Sequence, residues 1–208
     1  MGTLSISVDL DEVRCYHDIH GLAAPEGDAA RAVYERALPR ALRFLEDLGV
    51  RGTLFAVGRD LAESPQSAAA LRDAASSGLE IGNHTWGHRY DLTVLGTGEQ
   101  REEIRRGADA IREATGASPA GFRAPGYNVH LGLLDLLADE GYAYDSSVFP
   151  CPSYLLAKTA AIAAKSARGR TSRSLPGDPR VLLAPTGPYR VGRDGVWTRG
   201  AGLVELPI

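Results

Sequence analysis

Leu4, Ile6 and Val8 alternate with Ser5 and Ser7 and run into Asp9-Leu10-Asp11, a period of two that predicts a strand ending at an acidic pair. From about Asp28 to Leu48 the period lengthens: Val33, Leu38, Leu42, Leu45 and Leu48 recur at helical spacing, Pro39 opens a second helical segment, and Gly49 stops it. Residues 53–57, Thr-Leu-Phe-Ala-Val, form a continuous apolar run of the kind buried on both faces of a parallel sheet. Ser64-Pro65 supplies a cap and first-turn proline for a helix to about Ser77, Gly78 closes it, and Leu79 to Gly82 is a short strand. Thr97 and Gln100, at capping-box spacing, open a charged helix to about Thr115, ended by Gly116 before the strand tip Gly121-Phe122-Arg123. Leu131 to Glu140, closed by Gly141, is a short helix ahead of a strand over Tyr142-Ala143-Tyr144. Beyond Pro150 the pattern predicts a helix over Ala157 to Lys165, a loop over Arg168 to Arg180 and a last strand over Leu203 to Leu206.

This alternation of helix, glycine and short strand implies an α/β protein with parallel strands and right-handed helical crossovers, in an open sheet or an α/β barrel. Its 208 residues are few for an eight-fold barrel, which needs about 250, so a barrel here has fewer strands or an open seam. No domain boundary or repeat breaks the sequence, and one domain over residues 1–208 is expected. Composition adds only exclusions. With 44% hydrophobic and 24% charged residues the chain is neither disordered nor fibrous. A formal net charge of −3 gives no pull toward nucleic acid. Two cysteines, Cys15 and Cys151, are too few for a disulfide framework or a cysteine zinc site. Met1-Gly2-Thr3 leads into the first strand without a basic leader and apolar stretch, and no apolar run is long enough to span a bilayer. A cytoplasmic protein is the expectation.

The residues able to do chemistry, Asp9, Asp11, His84, His88, Arg123 and Asp145, all fall just past predicted strands, at the end where parallel α/β proteins bind ligands. His84-Thr85-Trp86-Gly87-His88 places two imidazoles four apart; on a helical turn both would aim at one ion, at zinc-nitrogen distances of about 2.0–2.1 Å. Alone, the pair is better explained as surface or capping histidines. Asp9-x-Asp11 changes that, because metal-assisted hydrolysis needs one carboxylate as ligand and a second, free one to take a proton from water. Asp11 is assigned as the ligand and Asp9 as the base; without the histidines, an Asp-x-Asp after a strand is a turn or a cap. Arg123-Ala124-Pro125-Gly126-Tyr127 adds a cation to pair with the base and a rigid turn whose Gly126 or Tyr127 N–H can face an oxyanion.

Together these segments resemble the polysaccharide deacetylases that share the NodB homology domain, carbohydrate esterase family four. Ser7-Val8-Asp9-Leu10-Asp11-Glu12 is similar to the family's first motif in a spaced Asp-x-Asp form, His84 to His88 to the second, Arg123-Ala124-Pro125 to the third, and Asp145-Ser146-Ser147-Val148-Phe149-Pro150 to the fourth. The resemblance implies a distorted (β/α) barrel, commonly seven-stranded. It implies Asp9, Arg123 and Asp145 as catalytic residues and Asp11, His84 and His88 as ligands of a divalent metal, zinc first, with cobalt, nickel or manganese as alternatives. Trp86, Pro125, Gly126 and Tyr127 would line the substrate site, Trp86 and Tyr127 either stacking on a sugar or supporting the histidine loop. The activity implied is removal of an N-acetyl or N-formyl group from an amino sugar, free or linked to a lipid or phosphate carrier; self-association is left open.

Two features depart from the family pattern. The fifth-motif histidine, which protonates the leaving amine, has no counterpart: the last histidine is His130, and Leu203 to Ile208 is similar to the strand just before that motif. Either the last motif is lacking or another acid serves. Val13 to Gly27 replaces a short glycine turn, and its His17 and His20 are read as loop or core residues. The basic stretch Lys158, Lys165, Arg168, Arg170, Arg173 and Arg180 has two readings, a contact for a phosphate-bearing carrier or a solvated helix and loop, and the second is preferred. Two other functions fit the same segments: an allantoinase-like or cyclic-imide hydrolase, and a sugar-binding module with a weak catalytic site.

Overall fold

A computed structural model describes residues 5–167, 169 and 174–208. In chain order its elements are β1 (Ser7–Leu10), α1 (Val13–His20), α2 (Leu38–Asp47), β2 (Thr53–Ala56), α3 (Gly58–Glu63), α4 (Pro65–Ser76), β3 (Glu80–Asn83), α5 (Thr97–Thr115), β4 (Gly121–Phe122), α6 (Leu131–Asp139), β5 (Tyr144–Asp145), α7 (Pro152–Ser166), β6 (Tyr189–Val191) and β7 (Arg199–Glu205). The protein is α/β, with seven mostly parallel strands among the described residues, as the alternating pattern predicts. The predicted residue Leu4 of the first strand and Arg168, Arg170 and Arg173 of the basic stretch lie outside the described residues.

The chain divides into two compact units. The first comprises residues 1–18, 23–88 and 103–119. Its strands β1, β2 and β3 are parallel and in register, Asp9 opposite Phe55 and Ala56 opposite Asn83. Leu10, Leu54, Ala56 and Ile81 from these strands meet Leu38, Leu71 and Ile111 from the helices in a closed apolar core. This core explains the continuous apolar run of β2, which is covered on both faces. Ser64 Oγ accepts from Ser67 N at 3.1 Å, the predicted cap of α4. Two local expectations are refined. Residues 13–20, whose histidines are read as loop or core, form a helix. Of the two helical segments predicted from Asp28, the one with Pro39 in its first turn is α2, as expected, whereas the first is a 3-10 turn over Gly27–Arg31 followed by a π turn over Val33–Ala37. The π turn begins where the buried Glu12 carboxylate accepts from Val33 N (3.2 Å) and Tyr34 N (3.1 Å), an anchor from 21 residues away that no local pattern encodes. No element is predicted over residues 58–63, where α3 starts on Gly58, whose added Cβ would lie 2.8 Å from Gly107 Cα.

The second unit comprises residues 19–22, 89–102 and 120–208. Here β4, β5 and β7 are parallel and β6 runs antiparallel to β7. Gln100 does not complete a capping box: its side chain donates to Leu92 O and Leu95 O, both at 3.1 Å, and Glu99 accepts from Gly96 N instead. Tyr142 lies outside β5 and packs edge-on against Phe122 at 5.8 Å. The last helix begins at Pro152, five residues before the predicted Ala157, with proline in its first turn.

Register in β5 and β7 sets Asp145 against Glu205, both fully buried. Asp145 accepts from Ser147 N (3.1 Å) and Ser147 Oγ (2.7 Å), and Glu205 Oε1 accepts from Val148 N (3.0 Å). Burial first, and then the neighbouring carboxyl, push Glu205 well above the usual carboxylate range; burial likewise raises Asp145. A raised acid in the folded state stabilises below its unfolded value, and that stabilisation is lost as pH climbs through the raised folded value. Stability to urea is therefore expected to fall as pH rises above the ordinary carboxylate range, and Glu205→Gln, which keeps an acceptor for Val148 N and cannot ionise, is expected to flatten the fall. Equal slopes for variant and parent would remove the pair as the cause.

Candidate metal centre

Leu10 packs into the core, so the two-residue alternation of β1 turns its neighbour Asp9 to the other side of the strand. The strand ends at Leu10, leaving Asp11 just beyond it. Two strands over, β3 carries the chain out to His84, whose N–H donates to Ala56 O of β2 at 2.9 Å. The 84–88 segment is not the helical turn expected from its spacing. It is a non-helical loop in which Thr85 (φ 69°) and His88 (φ 55°) are left-handed, a conformation costly for such residues unless the surroundings enforce it.

Those surroundings are specific. Thr85 N donates to Asn83 Oδ1 (2.9 Å) and His88 N to Thr85 Oγ1 (3.0 Å). Asn83 Nδ2 donates to Ile104 O (2.9 Å), Trp86 N to Glu103 O (2.9 Å) and Gly87 N to Glu103 Oε2 (2.8 Å). The loop thus hangs from α5. It comes so close that a Cβ on Gly107 would strike Asn83 Oδ1 and lie 2.9 Å from the Thr85 carbonyl carbon. Gly107→Ala is accordingly expected to cost about 3 kcal/mol, at the upper end for overpacking, and to weaken metal binding in proportion. A denaturation midpoint equal to that of the parent would show the loop can give way.

The loop brings both imidazoles to Asp11. His84 Nε2 lies 3.3 Å from Asp11 Oδ1 and His88 Nε2 3.1 Å from Oδ2, and one donor atom from each of the three residues falls within 4.8 Å of the others. Both histidines are buried. Burial opposes ionisation of Asp11, yet His84 and His88 hold its carboxyl well below the ordinary range. Burial pushes His88 below the usual imidazole value, against the pull of Asp11. Asp11 Oδ1 is buried and makes no hydrogen bond of acceptable geometry, despite its closeness to His84. An ionised carboxylate with a spare oxygen beside two imidazoles is the donor set and protonation state that a divalent transition ion takes. The residues fit such an ion.

The polysaccharide deacetylase family profile matches residues 26–144, more than half of the chain. The chain belongs to the polysaccharide deacetylase family. A Helicobacter pylori peptidoglycan deacetylase is 25% identical over 148 residues, 70% of this chain and 49% of its own length. Among solved structures, one from Mycobacterium smegmatis bearing the polysaccharide deacetylase name aligns over 98% of this chain and 57% of its own, with a TM-score of 0.68 at 23% identity. A family 4 carbohydrate esterase from Streptomyces lividans, solved with acetate, aligns over 86% and 85%, with a TM-score of 0.52 at 22% identity. A mutant pseudoenzyme of that esterase family, from Bacillus anthracis and with restored activity, aligns over 86% and 49%, with a TM-score of 0.52 at 21% identity. These structures show that the fold is that of the deacetylases. The chain spans about half the length of the Helicobacter pylori relative.

The matched segment of this deacetylase-family chain holds both histidines but begins after Asp9 and Asp11. Trp86 in the histidine loop has the Arg106 guanidinium 4.0 Å over its ring, and a Cβ on Gly58 would lie 3.2 Å from it, so it supports the loop. In the second unit the Arg123 Nε donates to Ser146 O and its terminal nitrogen to Ser146 Oγ, each at 2.8 Å. Ser147 Oγ in turn receives Ala124 N at 2.8 Å. The third and fourth motifs are thus laced together. Pro125, Gly126 and Tyr127 form a 3-10 turn in which Tyr127 N donates to Ala124 O (3.0 Å), leaving Gly126 N–H as the better oxyanion candidate of the two. Residues the sequence pattern missed include Asn83 and Glu103, which hold the loop, and Glu205, paired with Asp145. A polar residue ending a strand flags Asn83; nothing local flags the others. No described helix is long and apolar enough to cross a membrane.

Proposed function

We propose that this chain is a metal-dependent hydrolase that removes an N-acetyl or N-formyl group from an amino sugar or sugar conjugate. One observation carries the proposal: donor atoms of Asp11, His84 and His88 converge within 4.8 Å of one another, and Asp9, two residues before Asp11 in the chain, is not among them. A divalent ion held by Asp11, His84 and His88, zinc before cobalt, nickel or manganese, supplies Lewis-acid polarisation of the amide carbonyl and an acidified water. Asp9 takes the proton of the attacking water. Gly126 N–H is the candidate donor to the oxyanion of the tetrahedral intermediate. Of the assigned groups, Asp9 then holds the one proton that the departing nitrogen requires, which balances the reaction without a fifth-motif histidine. Arg123 and the wholly buried Asp145 act by positioning, through Ser146 and Ser147. Support comes from the family match and from the peptidoglycan deacetylase among the relatives.

The decisive experiment measures metal content together with amine release from N-acetyl and N-formyl sugars, with cyclic imides alongside. Amine release from a sugar that tracks metal occupancy is the expected result. Turnover of the cyclic imides alone would move the chain to a different branch of amide hydrolysis.

A further inference from the structure

The second unit contains a cavity of about 370 Å³ beside the Pro125–Tyr127 turn, large enough for a small ligand. Tyr127, Phe149 and Tyr154 make one wall, with ring centroids 5.0–5.4 Å apart. One polar group in the lining lacks a hydrogen-bond partner, and a second, a cation, has only uncharged ones, the Tyr154 ring 5.8 Å away among them. Asn128 is only 6% exposed, and its Nδ2 amide is buried with no hydrogen-bond partner. Lys158, reaching in from α7, donates from Nζ to Gly126 O (2.8 Å) and Asn128 Oδ1 (3.2 Å), both of them uncharged acceptors. Among the described residues no carboxylate pairs with this ammonium: Asp178, in the same lining, is bound by Arg180 at 2.7 Å. Burial without a counter-charge drops Lys158 to about 8. A half-buried cation and an orphan amide donor in one cavity are each an unmet cost, and one anionic acceptor would meet both.

We propose that this cavity is a subsite for an anionic oxygen group, a carboxylate or phosphate carried by the N-acyl sugar. Lys158 Nζ and Asn128 Nδ2 are its donors, and the Tyr127, Phe149 and Tyr154 rings form the wall beside it. The sugar part of the assignment rests on the deacetylase reading; the anion part does not. Gly126 (φ 65°) and Tyr127 (φ 60°) are successive left-handed residues, and Lys158 grips the carbonyl between them, so filling the subsite acts directly on the turn that bears the oxyanion candidate.

Calorimetric binding to the full chain tests this with N-acetylglucosamine, its 1-phosphate and N-acetylmuramic acid. At least one anionic sugar is expected to bind about tenfold more tightly than the neutral one, the gain typical of hydrogen bonds to a charged group, and which one it is separates phosphate from carboxylate. Lys158→Met and Asn128→Leu are each expected to erase the preference, so that the anionic and neutral sugars bind alike, whereas Lys158→Arg keeps it. In the unaltered protein the preference should shrink as ionic strength rises, a test that needs no variant to fold. Equal binding of all three sugars by the unaltered protein, or a preference indifferent to salt, overturns the subsite. Amine release without anion preference overturns the subsite alone; anion preference without amine release overturns the hydrolase alone.

Discussion

Replacing His84 with alanine is expected to strip the protein of stoichiometric divalent metal and leave its fold in place. In the proposed site the imidazole is one of three protein ligands, and its Nε2 lies 3.3 Å from Asp11 Oδ1. Removing even an outer-shell partner of a metal typically weakens binding by 10–100-fold, so loss of a direct ligand is expected to cost at least about 100-fold. The fold survives because what holds the loop is backbone: His84 N–H to Ala56 O, and the bonds of the neighbouring loop residues to Asn83 and α5. The buried side chain leaves a cavity worth about 2–4 kcal/mol, by analogy with other large-to-alanine changes. Elemental analysis after exhaustive dialysis, paired with circular dichroism, reads both halves. Full occupancy in the variant would falsify the ligand assignment.

Asp9→Asn is expected to do the reverse, keeping the metal and losing turnover by about 10²–10⁴-fold, the range that a general base supplies. The change is nearly isosteric and sits on β1 opposite Phe55, so neither the register nor the ligand cluster has reason to shift. Steady-state amine release on metal-loaded protein separates the two acids: loss with unchanged KM marks a group used only in the transition state. An unaltered rate would hand the base role to another residue.

Much of this was legible along the chain, for a physical reason. Parallel strands covered on both faces, such as β2, must be apolar, and the turns after them are free to carry function; Asp11, His84 and Arg123 stand at those turns. What was hidden depends on contacts between distant positions. The helix over residues 13–20 buries only Cys15, so no apolar stripe announces it. The π turn depends on Glu12, and α3 starts where Gly58 meets Gly107. The histidine pair was read correctly as converging and wrongly as helical, since a spacing of four fits both a helical turn and a loop bent by two left-handed residues. The cavity at Lys158 was invisible for a similar reason: in sequence that lysine belongs to a basic run, and only α7 brings it to Asn128.

The suspension of the histidine loop from α5 bears on how the ion comes and goes. Because Asn83, Trp86 and Gly87 are tied to residues 103 and 104 by hydrogen bonds made in the folded chain, two of them through side chains, the entropy of ordering the proposed ligands is spent during folding and not when a cation arrives. A chelator should therefore leave behind a folded, rechargeable receptor, in contrast to a zinc finger, which collapses with its metal.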